Sequence, residues 1–127
     1  MNNKKVDRLI PAAYQVIKDV GIVNGDKVPK AYRGQISAFG AAIATGSLLS
    51  AISFFSKRGS SEADRPLLMK AILRLADPGN TSDRPDALYR YAAANPKTAK
   101  EDVLIAAVAI KLAMNLYDLS EESTVRG

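Results

Sequence analysis

Eight lysine and arginine side chains fall between residues 27 and 74, where the sequence holds only two acids, Glu62 and Asp64. Cations neutralise backbone phosphate, so a protein that holds a nucleic acid without reading its bases depends mainly on residues of this kind. The candidate phosphate-binding residues are Lys27, Lys30, Arg33, Lys57, Arg58, Arg65, Lys70 and Arg74. The stretch carries a net charge of +6, more than the +5 of the whole chain.

The rest of the chain balances this charge unevenly. From residue 101 onward there are five acids and two cations, so the molecule should be electrically polarised. Such asymmetry is typical of a protein that meets a polyanion on one face and a basic neighbour on another. A solvated surface with uneven charge is the alternative interpretation.

Much other chemistry is excluded by composition. The chain has no cysteine and no histidine. It therefore has no disulfide, no cysteine nucleophile, no Ser-His-Asp triad, no zinc finger and no histidine general base. It also has no GxxxxGK[ST] loop to cradle a phosphate. We predict no catalytic residue, no metal ligand and no cofactor.

Two groups of acids are poor candidates for a metal or acid-base site. Asp77, Asp83 and Asp86 lie among Pro, Ser and Thr in a loop, where acids commonly serve as turn or cap residues. Asp118, Glu121 and Glu122 lie in a polar tail, a poor place for a preorganised acid-base pair. Tyr32, Tyr89 and Tyr91 could stack on bases, but their helical spacing favours core packing.

Five of the candidate cations lie at the ends of a predicted helical hairpin between Val28 and Gly59: Lys27, Lys30 and Arg33 at one end, and Lys57 and Arg58 at the other. Two apolar stripes at the three-and-four spacing of a helix define it: Ile36, Phe39, Ala42 and Ile43, then Leu48, Leu49, Ile52 and Phe55. Between them, Gly46 can adopt the positive φ that ends a helix, and Ser47 can cap the next one. A tight turn is therefore predicted at Gly46-Ser47.

Further helices are predicted on both sides of the hairpin. An opening helix covers residues 4 to about 22 and bends at Pro11. A helix from Ser61 to about Ala76 carries Lys70 and Arg74 on one face, where two unpaired cations repel each other slightly.

The chain's last two helices follow a turn-rich loop. A short helix capped by Ser82 or Asp83 ends at Asn95-Pro96. A final helix of about twenty residues starts at Thr98, with Glu101 completing a capping box. Its small apolar side chains indicate the central buried helix. Residues 120–127 are polar and should fray.

These elements predict an all-α single domain, residues 1–127, built as a bundle of about six helices. The charged N-terminus resembles neither a signal peptide nor a membrane anchor, so a cytoplasmic protein without a membrane partner is expected.

The hairpin residues also carry a family resemblance. Tyr32, the Ile-Ser-x-Phe-Gly run from Ile36 to Gly40, Ile43, and the run from Leu48 to Phe54 resemble the small subunit of the Cmr complex, the type III-B CRISPR RNA-guided effector. The similarity is densest from Tyr32 to Leu75. One departure is that the family usually has glycine immediately before the leucines, whereas here Ser47 follows Gly46.

The resemblance implies a noncatalytic subunit. It would repeat along a filament with further copies of itself, beside the backbone subunit, and contact guide RNA and target RNA through their backbones. Three other functions remain open: a helical protein-protein adaptor without RNA contact, a small enzyme, and a DNA-binding helix-turn-helix protein. The last is disfavoured because both hairpin helices are apolar along much of their length, whereas a recognition helix needs an exposed polar face.

Overall fold

Six α-helices and two three-residue strands form the fold in the computed structural model, which describes residues 3–59 and 62–120. The helices are α1 (Asn3–Asp19), α2 (Lys30–Thr45), α3 (Leu48–Phe55), α4 (Arg65–Ala76), α5 (Ala87–Ala94) and α6 (Ala99–Met114). The strands are β1 (Lys27–Pro29) and β2 (Asp118–Ser120). The predicted all-α helical bundle is confirmed.

Helix α6 is the centre of the core, as predicted, although it has 16 residues where about twenty were expected. It packs against α1, α2, α4 and α5. Val103, Ala106 and Ile110 are completely buried. The alanines let neighbouring helices approach closely, which explains why α6 can be covered on most of its circumference. Beyond its end, the Tyr117 ring stacks on Tyr14 with ring centres 4.2 Å apart.

The hairpin turn at Gly46-Ser47 is confirmed, with one difference in backbone geometry. The Ser47 hydroxyl accepts a hydrogen bond from the Ser50 amide at 3.1 Å and so caps α3. Gly46 does not adopt a positive φ but has φ −132° and ψ −137°. Glycine is favoured here by close approach instead, because a Cβ would lie 3.1 Å from the Ala42 carbonyl oxygen.

Helix α1 runs without a break through Pro11, whose side chain is exposed. It begins at Asn3, so the proline lies inside the helix and not at its start. Val6, Ala13 and Ile17 are its buried face. The helix ends at Asp19, and Gly21 with φ +97° makes the turn that follows, a conformation that favours glycine.

Helix α4 begins later than predicted. Its first residue is Arg65, and the carboxylate of Asp64 caps it by accepting a hydrogen bond from the Leu67 amide at 3.2 Å. Asp64 is therefore the cap and not a first-turn residue, because its backbone is extended. The predicted start at Ser61 lies outside the described residues.

The predicted cap of α5 is wrong, whereas the predicted cap of α6 is right in position but lacks the capping hydrogen bond in the described part of the chain. Helix α5 starts after Asp86, not after Ser82 or Asp83. Thr98 is the residue before α6, but with ψ −20° it lacks the extended backbone of a capping residue, and its side chain makes no capping hydrogen bond within the described part of the chain. Glu101 lies 3.4 Å from Lys5 Nζ instead of closing a capping box.

The two strands were not predicted, because three residues are too few to show an alternating pattern. They pair in parallel, with Val28 beside Leu119 and Lys27 beside Asp118. Val28 is completely buried and fixes the segment before α2 to the segment after α6. Ser120 belongs to β2. The remainder of the tail expected to fray, residues 121–127, lies outside the described residues.

Tyr91 links three helices, and its ionisation should lower the stability of the fold at alkaline pH. Its hydroxyl donates to the Asp102 carboxylate at 3.1 Å and lies 3.5 Å from the Ala76 carbonyl oxygen. Burial, and then the Asp102 carboxylate, raise the pKa of Tyr91 to about 12. The unfolded phenol ionises near pH 10, so this contribution is complete below pH ~10 and is lost as the pH rises towards 12.

We expect Tyr91→Phe to lower the free energy of unfolding by about 1 kcal/mol at neutral pH. The difference in the free energy of unfolding between the wild type and the variant should narrow from about pH 9 to about pH 11, because only the wild type loses the Tyr91 contribution. Urea unfolding of both proteins at about pH 9 and at about pH 11 measures this difference. A gap that stays constant would contradict the assignment.

Candidate nucleic-acid interface

The fold distributes the eight candidate cations over three places. Lys57, Arg58 and Arg65 meet where α3 ends and α4 begins, and we call these three residues the basic corner. Lys70 and Arg74 lie further along α4, four residues apart on one face of the helix. Lys27, Lys30 and Arg33 lie at the start of α2. The structure therefore does not gather all eight on one surface.

The basic corner is positioned by the cap of α4. Arg58 Nη1 lies 3.3 Å from Asp64 Oδ2, and the other oxygen of Asp64 accepts the Leu67 amide. The side chain of Arg58 remains 48% exposed, so its other guanidinium donors stay accessible to a ligand. Lys57 is exposed. The pair thus presents one oriented cation and one adaptable cation to solvent.

Arg65 is held more tightly than its neighbours. Its Nε donates to Gln35 Oε1 on α2 at 2.7 Å. The guanidinium carbon lies 4.9 Å from the ring centre of Phe54 and 4.8 Å from that of Phe55. It also lies against Gly59, where a Cβ would be 2.7 Å from it. Arg65 therefore ties α4 to α2 and α3, and contributes a fixed charge to the corner.

Two concavities meet at Lys57 and Arg58. The larger, about 550 Å³, runs along α4 and is called the α4 groove; it is lined by Ser56, Lys57, Arg58, Asp64, Pro66, Leu67, Met69, Lys70, Leu73, Ser82, Asp83, Arg84, Pro85, Ala87 and Leu88. The smaller, about 430 Å³, is called the Phe54 hollow and is lined by Ser53, Phe54, Lys57, Arg58, Gly59 and Arg65. Lys57 and Arg58 form the ridge between them.

Lys70 and Arg74 are not the uncompensated pair that the sequence indicated. Lys70 Nζ lies 2.7 Å from Asp83 Oδ1, because the loop before α5 folds back over α4. The Lys70 hydrogen bond, with a smaller contribution from the charge of Arg74, lowers the pKa of Asp83. A phosphate approaching Lys70 would meet this carboxylate, which lies closer to Lys70 than the Asp64 carboxylate lies to Arg58, at 2.7 Å against 3.3 Å. Lys70 is therefore a weaker phosphate ligand than Lys57 and Arg58.

The start of α2 forms a separate basic cluster. Lys30 and Arg33 line a shallow depression together with Lys111 of α6, and we call these three residues the α2 cluster. Arg33 Nε is buried and has no hydrogen-bond partner among the described residues. Lys27 lies outside the depression, in register with Asp118 across the strand pair.

The α2 cluster and the basic corner lie on nearly opposite sides of α2. Arg33 and Gln35, the residue that holds Arg65, are two positions apart on the helix. At 3.6 residues per turn their side chains diverge by about 160°. One short nucleic-acid segment passing over the corner would therefore not reach the cluster along the same face.

Most of the tyrosines and loop acids considered as candidates are engaged in packing, hydrogen bonds or ion pairs within the fold. Tyr32 is completely buried and Tyr91 is hydrogen-bonded between helices, whereas Tyr89 is 39% exposed. The loop acids pair with neighbours: Asp83 with Lys70, and Asp86 with Arg84 and Arg90. Within residues 3–59 and 62–120, no group of three acids is arranged to hold a metal ion.

Sequence reasoning missed three residues at these sites. Phe54 is 65% exposed and lines the smaller hollow. Its position off the apolar stripe of α3, with cations three and four residues later, was a usable signal. Arg84 and Lys111 line the α4 groove and the α2 depression only because distant segments fold together. No local pattern could have indicated them.

Comparison with known proteins gives no family assignment: no protein-family model, no curated protein and no solved structure matches this chain. Among the helices of the described residues, none is both long enough and apolar enough to cross a membrane.

Proposed function

We propose that this chain is a noncatalytic RNA-binding subunit of a ribonucleoprotein, specifically the small subunit of a type III-B CRISPR (Cmr) effector. It holds guide and target RNA by the phosphate backbone at the basic corner. The single observation that carries RNA binding is the ridge of Lys57 and Arg58, exposed between two concavities of about 550 and 430 Å³. A backbone that crosses the ridge meets cations from both sides.

The chemistry at the ridge fits phosphate better than it fits a specific base. Exposed Lys57 and half-exposed Arg58 offer several donors, whereas base readout requires fixed bidentate pairs of donors and acceptors. The only carboxylate paired with the ridge in the described chain is Asp64, which also caps α4. Such a surface neutralises charge and reads no sequence, as expected of a subunit in an assembly where guide RNA does the matching.

Support for the particular assembly comes from the residues of the resemblance. Tyr32, Ile36 and Phe39 on α2 are buried, and they build the hairpin whose end carries the basic corner. The adaptor function is the competing proposal. It assigns the basic corner to an acidic protein surface and expects no RNA.

The proposal is tested by recovering the tagged chain from its native cells, then sequencing RNA and identifying proteins that come with it. We expect guide RNA derived from CRISPR repeats together with other effector subunits, and loss of RNA but not protein after ribonuclease treatment. A parallel purification with Lys57→Ala and Arg58→Ala should recover less RNA. Protein partners without RNA would overturn the proposal and favour the adaptor.

A further inference from the structure

Phe54 is an aromatic side chain that the core does not use. With 65% of its surface accessible, it is the most exposed large apolar side chain in the described residues. Its neighbour Phe55 is 3% exposed and belongs to the core. Burying the Phe54 ring would contribute favourable free energy that the isolated domain does not gain.

The ring is nevertheless held in place. Phe55 meets it edge to face, with ring centres 5.5 Å apart and planes at 69°. The Arg65 guanidinium lies 4.9 Å from its centre and is itself fixed by Gln35. Phe55 in turn packs edge to face on buried Phe39 at 5.3 Å. An aromatic surface anchored in this way loses little side-chain entropy when a flat ligand stacks on it.

The surroundings of the ring select the class of ligand. The Phe54 hollow is lined by one apolar side chain, three cations, one serine and one glycine, and no described residue lining it is acidic. An interface for an apolar protein segment would place further apolar groups around the ring, and its core would be depleted of lysine. A planar apolar surface ringed by cations suits a base attached to phosphates.

We infer that Phe54 stacks on an unpaired base of RNA while Lys57 and Arg58 bind the phosphates beside it, an inference that rests on the proposed function. The base must be unpaired because a base inside a duplex is already stacked on both faces. The hollow is therefore a single-strand site, which selects RNA segments outside the guide-target duplex or bases displaced from it. The stacking tolerates any base, since every base has an aromatic face.

The test measures RNA affinity of the full chain by fluorescence anisotropy, with labelled oligoadenylate of about 12 nucleotides at about 50 mM salt. The same measurement uses an abasic strand and an RNA duplex of equal length. Phe54→Ala and Phe54→Leu should weaken single-strand binding by about fivefold or more. Phe54→Trp should bind at least as tightly as the wild type, because it keeps an aromatic face.

A matched control is Leu116→Ala, which removes an equally exposed apolar side chain, 62% accessible, that does not line the hollow. It should leave affinity unchanged. Duplex and abasic binding should not respond to Phe54→Ala. Equal losses on duplex or abasic RNA, or wild-type affinity in Phe54→Leu, would overturn stacking in favour of general apolar contact.

The failure of stacking and the failure of the proposed function give different results. If Phe54→Ala binds as tightly as the wild type while Lys57→Ala/Arg58→Ala binds weakly, the stacking inference alone is overturned. If the wild type binds no RNA in any form, both are overturned. Capture of an acidic protein by the wild type and not by Phe54→Ala would assign the hollow to a protein partner.

Discussion

Reversing the two ridge charges, with Lys57→Glu and Arg58→Glu together, is expected to lower RNA affinity by on the order of 100-fold at about 50 mM salt. Each phosphate contact to single-stranded RNA contributes about 0.7 to the slope of log affinity against log salt concentration. Two contacts thus account for a roughly 70-fold change in affinity between about 50 mM and about 1 M salt. The introduced acids add repulsion. The salt slope should fall by about 1.4.

The matched control is Lys97→Glu with Lys100→Glu, which changes the net charge by the same amount. Both lysines are exposed and line neither concavity at the corner. This control should lose far less affinity and keep the wild-type salt slope. Affinity and slope that stay unchanged in the ridge variant would remove the basic corner as the interface.

The ridge variant also has to remain folded. The carboxylate that Arg58→Glu introduces would repel Asp64, the cap of α4, so circular dichroism and thermal unfolding accompany the binding measurement. The variant Lys57→Ala/Arg58→Ala avoids that repulsion and should show the same loss in salt slope. A second comparison, Lys70→Ala with Arg74→Ala, should cost less affinity, because Asp83 already neutralises Lys70 at 2.7 Å.

The helices were predictable because their signals are local. Apolar spacing placed the stripes of α2 and α3, and the Gly46-Ser47 pair located the turn and the α3 cap within one residue. Local signals gave wrong predictions where a side chain contacts a residue distant in sequence instead of its own helix. Thr98 and Glu101 match a capping box, yet the backbone at Thr98 does not extend and Glu101 turns towards Lys5 on α1.

The candidate site was predictable only as a set of residue types. The sequence indicated eight cations, but their value as phosphate ligands depends on acids that arrive from elsewhere in the chain. Asp83 reaches Lys70 across a loop, and Asp118 lies opposite Lys27 through a strand pair that no periodicity indicates. Lys57 and Arg58 follow the end of α3 and stay exposed, with Asp64 as the carboxylate paired with Arg58.

The sequence also could not show which aromatic side chains are exposed beside the cations. The sequence offered three tyrosines as stacking candidates, and the fold commits Tyr32 to the core and Tyr91 to a hydrogen bond between helices. The exposed aromatic beside the cations is Phe54. Whether a ring is buried depends on its angle around α3, and one position separates Phe54 from buried Phe55.

Phe39→Ala should be the most destabilising of the substitutions considered, lowering the free energy of unfolding by about 3–5 kcal/mol. The Phe39 ring is completely inaccessible and packs edge to face on Phe55. Truncating it leaves a cavity where α2 meets α3, in a domain whose total stability should be on the order of 5–15 kcal/mol. Thermal unfolding should shift downward by roughly 10–20 °C.

Phe54→Ala is the natural control, because it removes the same type of side chain at the other end of the series in which Phe39 packs on Phe55 and Phe55 packs on Phe54. Phe54 is 65% exposed, so its truncation should cost less than about 1 kcal/mol. The two variants therefore separate stability from binding: Phe39→Ala weakens the fold, whereas Phe54→Ala should weaken the RNA contact in a folded protein. Comparable losses of stability in both would mean that Phe54 supports the core, and the exposed ring could then not be assigned to a ligand on binding data alone.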